Sequence, residues 1–369
     1  MSKATALIVR RDNLLDCKIV ELEKATLAEG EAELSVDRFG FTSNNVTYGA
    51  IGEALAYWNF FPTGIDGWGC IPVWGFGTVI QSRSPSVAVG DRFFGYYPMA
   101  TRLVVTPGEP IPTGFSDTAA HRKPMSPIYN RYARTATDPV YRPEDEAFLA
   151  LYRPLFGTAF FIDDMLAESQ FYGAKTLIFS SASSKTAYCT AFLLSGRRRA
   201  GADIETVGLT SPGNIAFVKQ LGVYDRVLAY EEVAELERKR AAFFDMAGNT
   251  GVRAAVHRHF SDALTHSSIV GRTHWSETAG GGEKLPGAEP EMLFIPTWIQ
   301  KRTGELSPGV VQEWIGKAWA SLLTKLRDPK SGWLEVVEAA GPAAVEKTYR
   351  DVVAGRFKPV QGHILSLNG

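Results

Sequence analysis

From about residue 154 onward the chain alternates short apolar runs with helical stretches, and this alternation restricts the fold more than any other feature. Residues 175–180 (KTLIFS) run into a helix-like segment at 185–194, and residues 205–209 (ETVGL) precede a helical Ile215–Leu221. Residues 226–230, 241–246, 264–270 and 292–296 are further strand-sized runs. Strands that alternate with helices predict a parallel sheet with helices on both faces, the α/β class. Strands covered on both faces read as short apolar blocks, as these do. A long amphipathic helix is expected from residue 307 to about 326, then a helix over 343–353 and a closing strand over 362–367.

The first hundred residues have another texture. Strand-like runs at residues 5–9, Cys17–Leu22, 76–81, 92–94 and 101–105 are separated by Gly- and Pro-rich turns, the rhythm of a small twisted barrel. Between the two textures lies a segment at 113–145, rich in Tyr, Arg and Pro towards its end (SPIYNRYARTATDPVYRPED). It is too long for an ordinary connection, which leaves a lid or a disordered excursion.

Composition narrows the function class. A chain of 369 residues carries two domains comfortably. A net charge of -1 offers nothing to nucleic acid or an anionic membrane, and Arg197-Arg198-Arg199 reads as a solvated helix end. Cys17, Cys70 and Cys189 are far apart and odd in number, which argues against a disulfide framework and a cysteine-rich zinc site. No apolar stretch reaches the roughly 18 residues of a spanning helix, and no leader-like segment opens the chain. The expectation is a soluble, cytoplasmic protein.

Five segments carry a family resemblance, in order along the chain. Ser43-Asn44-Asn45-Val46-Thr47-Tyr48 looks like the Ser-Leu-Asn-Tyr-Lys-Asp stretch of quinone and acrylyl-type reductases. IPVWGFGTVIQSRSPSVAVGDRFFG, beginning at Ile71, resembles their barrel signature. Leu221-Gly222 with Asp225-Arg226-Val227, Phe244-Asp245-Met246-Ala247-Gly248, and the closing GHILSL resemble three further family corners. The chain thus resembles the medium-chain dehydrogenase/reductases. Its SSASSKTA loop and LYRPLFGTAFFIDDML phrase look like a branch known mainly as a domain of unknown function. The resemblance implies a GroES-like β-barrel domain over 1–150 and 335–369, and a Rossmann-type doubly wound dinucleotide domain over 151–334. It also implies a small-molecule substrate and a homodimer paired through the edge of the dinucleotide sheet, near MLFIP.

The expected cofactor loop is glycine-free. The usual fingerprint uses glycines for a tight turn and for close backbone approach to a pyrophosphate at a helix N-terminus. Here Ser180, Ser183 and Thr186 stand where glycines would. In one reading these hydroxyls, with Ser184 and Lys185, donate directly to phosphate. In the other the site is degenerate, and Ser183 or Ser184 is only an N-cap. A Walker-type loop lacks its glycines here. An acidic residue at the end of the second strand would bind the ribose of NAD. Thr210, Ser211 and Asn214 stand there instead, which points to NADP(H).

Candidate catalytic residues follow from the resemblance. No zinc set is present on the barrel, since no His precedes His121 and Cys70 has no partner at ligand spacing. A zinc-independent reductase of an enone, enoyl or quinone-like bond then needs positioning and a proton donor. Tyr48 and Tyr57 are the candidate donors, and each is equally readable as a core tyrosine. Asn45 is expected to touch the nicotinamide ribose or a nearby backbone group. Gly271 and Thr273 are expected beside the nicotinamide, near His266 and Ser267. The competing functions are a cofactor-degenerate, non-enzymatic protein of the same fold, and an acyl- or polyketide-processing accessory protein.

Overall fold

The computed structural model describes residues 4–23, 26–271 and 284–369. In chain order its first strands are β1 (Ala4–Arg10), β2 (Cys17–Leu22) and β3 (Ala32–Phe41), followed by helix α1 (Ser43–Ala50). Next come β4 (Trp68–Gly69), β5 (Pro72–Ser82), β6 (Arg92–Pro98), β7 (Arg102–Val105) and β8 (Gly114–Ser116), then α2 (Pro127–Asn130), β9 (Arg131–Arg134) and α3 (Glu146–Glu168). The α/β half runs β10 (Thr176–Phe179), α4 (Lys185–Arg199), β11 (Glu205–Thr210), α5 (Ile215–Leu221), β12 (Arg226–Ala229), β13 (Ala241–Asp245), α6 (Thr250–Phe260), β14 (Leu264–Ile269), β15 (Glu291–Met292), α7 (Ile295–Glu305) and α8 (Pro308–Leu326). The chain closes with β16 (Glu335–Ala340), α9 (Pro342–Val353) and β17 (Gln361–Ser366). It divides into two compact units, Met1–Arg153 with Glu335–Gly369, and Pro154–Leu334.

The first unit is the β-rich, GroES-like one. Its main sheet runs β16-β17-β3-β5-β6-β9-β8, with β7 also on β3, and a smaller sheet runs β2-β1-β4. Leu34, Val36, Phe39, Val73, Val79, Phe93, Tyr96 and Tyr97 from these strands lie in one buried cluster.

The 113–145 segment is not a disordered excursion. β8 and β9 extend the main sheet past β6, with Phe115 opposite Tyr132 and Phe94 opposite Ala133. Its Tyr and Arg side chains explain how so polar a segment packs. The Tyr132 ring is buried while its hydroxyl donates to the Tyr96 carbonyl at 2.6 Å. Arg122 is fully buried, donating from Nε to Asn130 Oδ1 at 2.9 Å and from Nη2 to the Tyr129 carbonyl at 2.8 Å. Asn130 Nδ2 donates back to the Arg122 carbonyl at 2.8 Å. Aromatic bodies supply burial and polar tips reach backbone, so few groups stay unsatisfied.

The second unit holds a parallel six-stranded sheet in the order β12-β11-β10-β13-β14-β15. Alternate residues of its central strands enter two separate cores. Leu177, Phe179, Ala242 and Phe244 lie in one, and Ile178, Val207, Leu209 and Phe243 in the other. That is the Rossmann-type arrangement expected from the apolar blocks.

The expected strand at 292–296 needs correction. β15 ends at Met292, and Ile295 opens a helix with Pro296 in its first turn. Proline at that place lacks only an N–H that would be unbonded anyway. Ile295, Trp298 and Ile299, at helical spacing, pack on Phe160 and Phe161 of α3.

Gly114 is where the Tyr/Arg-rich segment is most tightly fitted. Its φ is +137°, and an added Cβ would collide with the Tyr132 carbonyl. Gly114→Ala is therefore expected to cost at least about 2 kcal/mol, through backbone strain and loss of β8–β9 pairing. Urea denaturation checks this; a loss below about 0.5 kcal/mol, the scale of ordinary surface substitutions, would contradict the fitted strand.

Candidate cofactor loop and aromatic cluster

The loop after β10 makes a tight turn without glycine. Ser181 carries the positive φ (+46°) that a glycine would take without strain. For an L-residue this costs about 1–2 kcal/mol. Backbone bonds hold the turn, Ser184 N donating to the Ser181 carbonyl at 2.7 Å and Ala182 N to the Leu209 carbonyl at 3.0 Å. Tyr224 adds a hydroxyl bond to the Ala182 carbonyl at 3.1 Å. Ser184 is the N-cap of α4, accepting from Ala187 N at 3.4 Å.

Ser180 does not do what its place in the sequence suggested. It is fully buried, its Oγ donating to Asp245 Oδ1 at 2.9 Å and accepting from Met246 N at 2.9 Å. It ties two strand ends together and is not available to a phosphate. Asp245 also accepts from Gly248 N at 2.9 Å and from Arg253 Nη1 at 2.9 Å. Burial pushes its carboxyl up, against the pull of Ser180 and Arg253. Sequence reasoning noted Asp245 only as part of a family corner; its signal was an acid set in an apolar strand, AAFFD.

The other loop residues keep accessible surface. Ser183, Ser184, Thr186, Ser211 and Asn214 are half-buried, and Asn214 Nδ2 donates to Ser183 Oγ at 3.2 Å. Thr210, at the end of β11, is buried and its hydroxyl has no partner. Lys185 is buried in the first turn of α4, and desolvation pushes its amine down to about 8. Gly271 follows β14, where an added Cβ would lie 2.6 Å from the Met246 carbonyl, so the close approach of this strand end requires glycine. Thr273 lies outside the described residues.

The catalytic candidates fall in the first unit. Tyr48 and Tyr57 come together with ring centroids 4.8 Å apart, inside a cluster with Phe60, Trp74, Tyr96 and Tyr129. Trp74 Nε1 donates to the Tyr48 hydroxyl at 3.3 Å, and the Tyr57 and Tyr129 hydroxyls are 3.0 Å apart. Burial raises both phenols, Tyr48 the more strongly. Asn45 takes the second of its two expected roles, bonding nearby backbone. Its Oδ1 accepts from Thr42 N at 2.8 Å in a capping box, and its Nδ2 donates to the Pro72 carbonyl at 3.0 Å. That leaves one N–H of its amide outside these two bonds.

Two histidines of the second unit are tied into its interior. His257 bridges Ser267 Oγ and the Pro286 carbonyl, both at 2.9 Å, and His266 stacks on Tyr172 with centroids 3.8 Å apart. Burial pushes His266 down to about 4. Among the described residues no group of three His, Cys, Asp or Glu could hold a metal ion, and no helix is long and apolar enough to cross a membrane.

The buried lysine makes a testable demand on stability. Its folded value of about 8 lies below its ordinary 10.5, so between those pH values the unfolded chain holds more protons. The contribution of Lys185 to the stability of the ligand-free protein therefore rises with pH across that window. Below it, Lys185 destabilises by about 3 kcal/mol, at about 1.4 kcal/mol per tenfold change in proton affinity. Lys185→Met is expected to be more stable than wild type near neutral pH, the difference shrinking as pH approaches 10.5. Denaturant titrations at several pH values check it; a difference constant with pH would contradict a desolvated, charged lysine.

No curated protein matches the chain by sequence. Solved structures match its fold over nearly the whole length. CurA from Vibrio vulnificus, in complex with NADPH, superposes with a TM-score of 0.65 at 13% identity, covering 99% of each chain. The Etr1p/Etr2p heterodimer of Candida tropicalis, a mitochondrial enoyl thioester reductase, gives 0.57 at 13%, covering 99% of this chain and 100% of that one. The yhdH oxidoreductase of Salmonella enterica, in complex with NADP, gives 0.50 at 15%, covering 98% and 99%. These share the two-part fold of medium-chain dehydrogenase/reductases. The family model described as "Protein of unknown function (DUF2855)" matches residues 39–358, most of the chain, and the protein belongs to that family.

Proposed function

We propose that this protein is a zinc-independent, NADP(H)-dependent reductase of a conjugated double bond, in an enone, enoyl or quinone-like small molecule. The observation that carries the reading is the end of the parallel sheet at β10 and β11. There a small-residue turn leads into the N-terminus of α4, beside a desolvated Lys185 and an unpartnered Thr210 hydroxyl. A helix N-terminus favours anions, and an anion beside Lys185 offsets its desolvation. The full-length likeness to NADPH-bound CurA supports the same assignment. We assign the dinucleotide to the second unit and the substrate to the first.

The residues fit the dinucleotide. Ser183, Ser184, Thr186 and Lys185 would hold its phosphates, and Thr210, Ser211 and Asn214 its adenosine ribose. β11 ends in neutral groups, which leave a 2′-phosphate unopposed where an acid would repel it. Gly271 would lie at the nicotinamide side. When bound, the cofactor supplies a hydride. The chain supplies the proton, and Tyr57 is the better donor of the two candidates because its phenol is raised less than that of Tyr48.

Isothermal titration is expected to give tighter binding of NADPH than of NADH. Lys185→Met should weaken NADPH about tenfold, or about 1.4 kcal/mol, the scale of one charge-assisted contact. Tighter NADH, or unchanged NADPH affinity in a folded Lys185→Met protein, would overturn this cofactor reading.

We also propose a homodimer. β15 ends the order of the second sheet, and Met292 and Phe294 beside it are 60% and 55% exposed. Apolar surface at a sheet edge invites pairing. Light scattering is expected to report twice the chain mass at micromolar concentration; a monomer-sized particle would refute it.

A further inference from the structure

The Tyr/Arg-rich segment has no role in the reductase reading so far, yet it delivers one hydroxyl to the candidate proton donor. Tyr129 lies on α2, and its hydroxyl is 3.0 Å from that of Tyr57. Its ring also meets Phe60, Trp74 and Tyr96, at centroid distances of 5.4, 6.0 and 4.8 Å. Buried Arg122 grips the Tyr129 carbonyl and the Asn130 side chain, while its guanidinium lies about 5 Å from the Phe60 and Phe61 rings. Tyr129 is thus held from behind, through its backbone, and its hydroxyl is fixed against Tyr57.

We infer that Tyr129 is a positioning residue for Tyr57, donating a hydrogen bond to the Tyr57 oxygen and stabilising the tyrosinate left when Tyr57 gives up its proton. The inference rests on the proposed reductase function with Tyr57 as donor. In that step the β-carbon of the substrate gains a hydride, and the O–H bond of Tyr57 breaks as a C–H bond forms at the α-carbon. The negative charge stays on the Tyr57 oxygen until water returns a proton. Two phenols that share one hydrogen bond leave one proton unshared; if Tyr129 is the internal donor, the unshared proton is the one on Tyr57.

The surroundings agree with this polarity. The groups near Tyr57 are the neutral phenols of Tyr48 on α1, Tyr129 on α2 and, beyond them, Tyr96 on β6, with the Arg122 guanidinium over the Phe60 ring and that of Arg11 over the neighbouring Trp58. Asp117 lies behind Arg122, 3.7 Å from its Nη1. The bond from Tyr129 opposes the upward push that burial exerts on Tyr57, and burial raises Tyr129 itself far more, as suits the member that keeps its proton.

Two measurements test the inference, one without turnover. A fluorinated tyrosine placed at position 57 titrates at lower pH and is followed by its ultraviolet absorbance. Tyr129→Phe, which keeps the ring, is expected to raise that midpoint by about one pH unit, the equivalent of one lost hydrogen bond to the anion. In turnover with NADPH and chalcone, menadione or crotonyl-coenzyme A as probes, Tyr129→Phe should lower kcat about tenfold and raise the solvent isotope effect, with KM and NADPH affinity little changed. An unmoved midpoint in the folded variant overturns the inference, as does a change confined to KM. If wild type oxidises no NADPH with any probe while the midpoint still moves, the reductase reading fails and the Tyr129–Tyr57 bond stands.

Discussion

The buried carboxylate of Asp245 organises the end of the parallel sheet where the candidate cofactor loop sits. A carboxylate withdrawn from water is stable only when hydrogen-bonded and paired. Asp245 meets that condition through Ser180 on the loop, Gly248 on the turn after β13 and Arg253 on α6. Each partner belongs to a different element, so the requirement of one side chain fixes the relative positions of three. Ser180 Oγ then passes the constraint on by accepting from Met246 N. A glycine-free turn is tolerable here because its first residue is anchored inward by its own side chain. Breaking such a buried pair costs several kcal/mol, since the remaining charge is left without compensation.

Arg122 plays the corresponding part in the first unit. Its guanidinium is completely buried, and its bonds run to groups within the same excursion, Tyr129 and Asn130. The excursion therefore folds against itself as well as against β6. Its positive charge beside the Phe60 and Phe61 faces recovers part of the lost hydration. The consequence is a wall of aromatic rings whose geometry is set by a cation a few residues away in sequence.

The fold class was legible because hydrophobic periodicity is a local signal that burial on two sheet faces imposes directly. Leu177 and Ile178 are neighbours in sequence and enter opposite cores, which is why KTLIFS reads as an unbroken apolar block. The same signal misread MLFIP, because an apolar block cannot by itself distinguish a strand from the first turn of a helix; Pro296 was the missed marker. The 113–145 segment was illegible for another reason. Its packing depends on Arg122, Tyr129 and Tyr132 burying their stems and rings while their polar ends find backbone carbonyls, and composition counts them as surface residues. At the site, spacing located the loop and brought Tyr48 and Tyr57 into view. It did not reveal which hydroxyls turn inward. Ser180 turns inward to a buried carboxylate and Asn45 to backbone, and nothing in their sequence neighbourhood marks either turn. Tyr129 lies 72 positions from Tyr57, a pairing no local pattern encodes.

The two regions break local rules in different ways, and the difference bears on what each does. In the second unit, three departures fall within one turn and the neighbouring strand end. Ser181 adopts a left-handed backbone, Lys185 is desolvated at the end of a helix that repels cations, and the Thr210 hydroxyl is buried without a partner. Each costs on the order of a kilocalorie or more, and an anion with hydroxyl groups relieves the last two. Concentrated strain of this kind is what a preorganised binding site looks like before its ligand arrives. In the first unit the departures include the Tyr96 hydroxyl and Arg122 Nη1, which make no hydrogen bond inside the aromatic cluster, the latter lying 3.7 Å from Asp117 Oδ2. These do not form an anion site; they surround a pair of phenols whose neighbours are almost all neutral. A low-dielectric shell of rings with one cation behind it opposes tyrosinate at rest and strengthens every hydrogen bond that tyrosinate receives. On the proposed reading, the first region is suited to hold charge that arrives from outside, and the second to keep a proton until a reaction takes it.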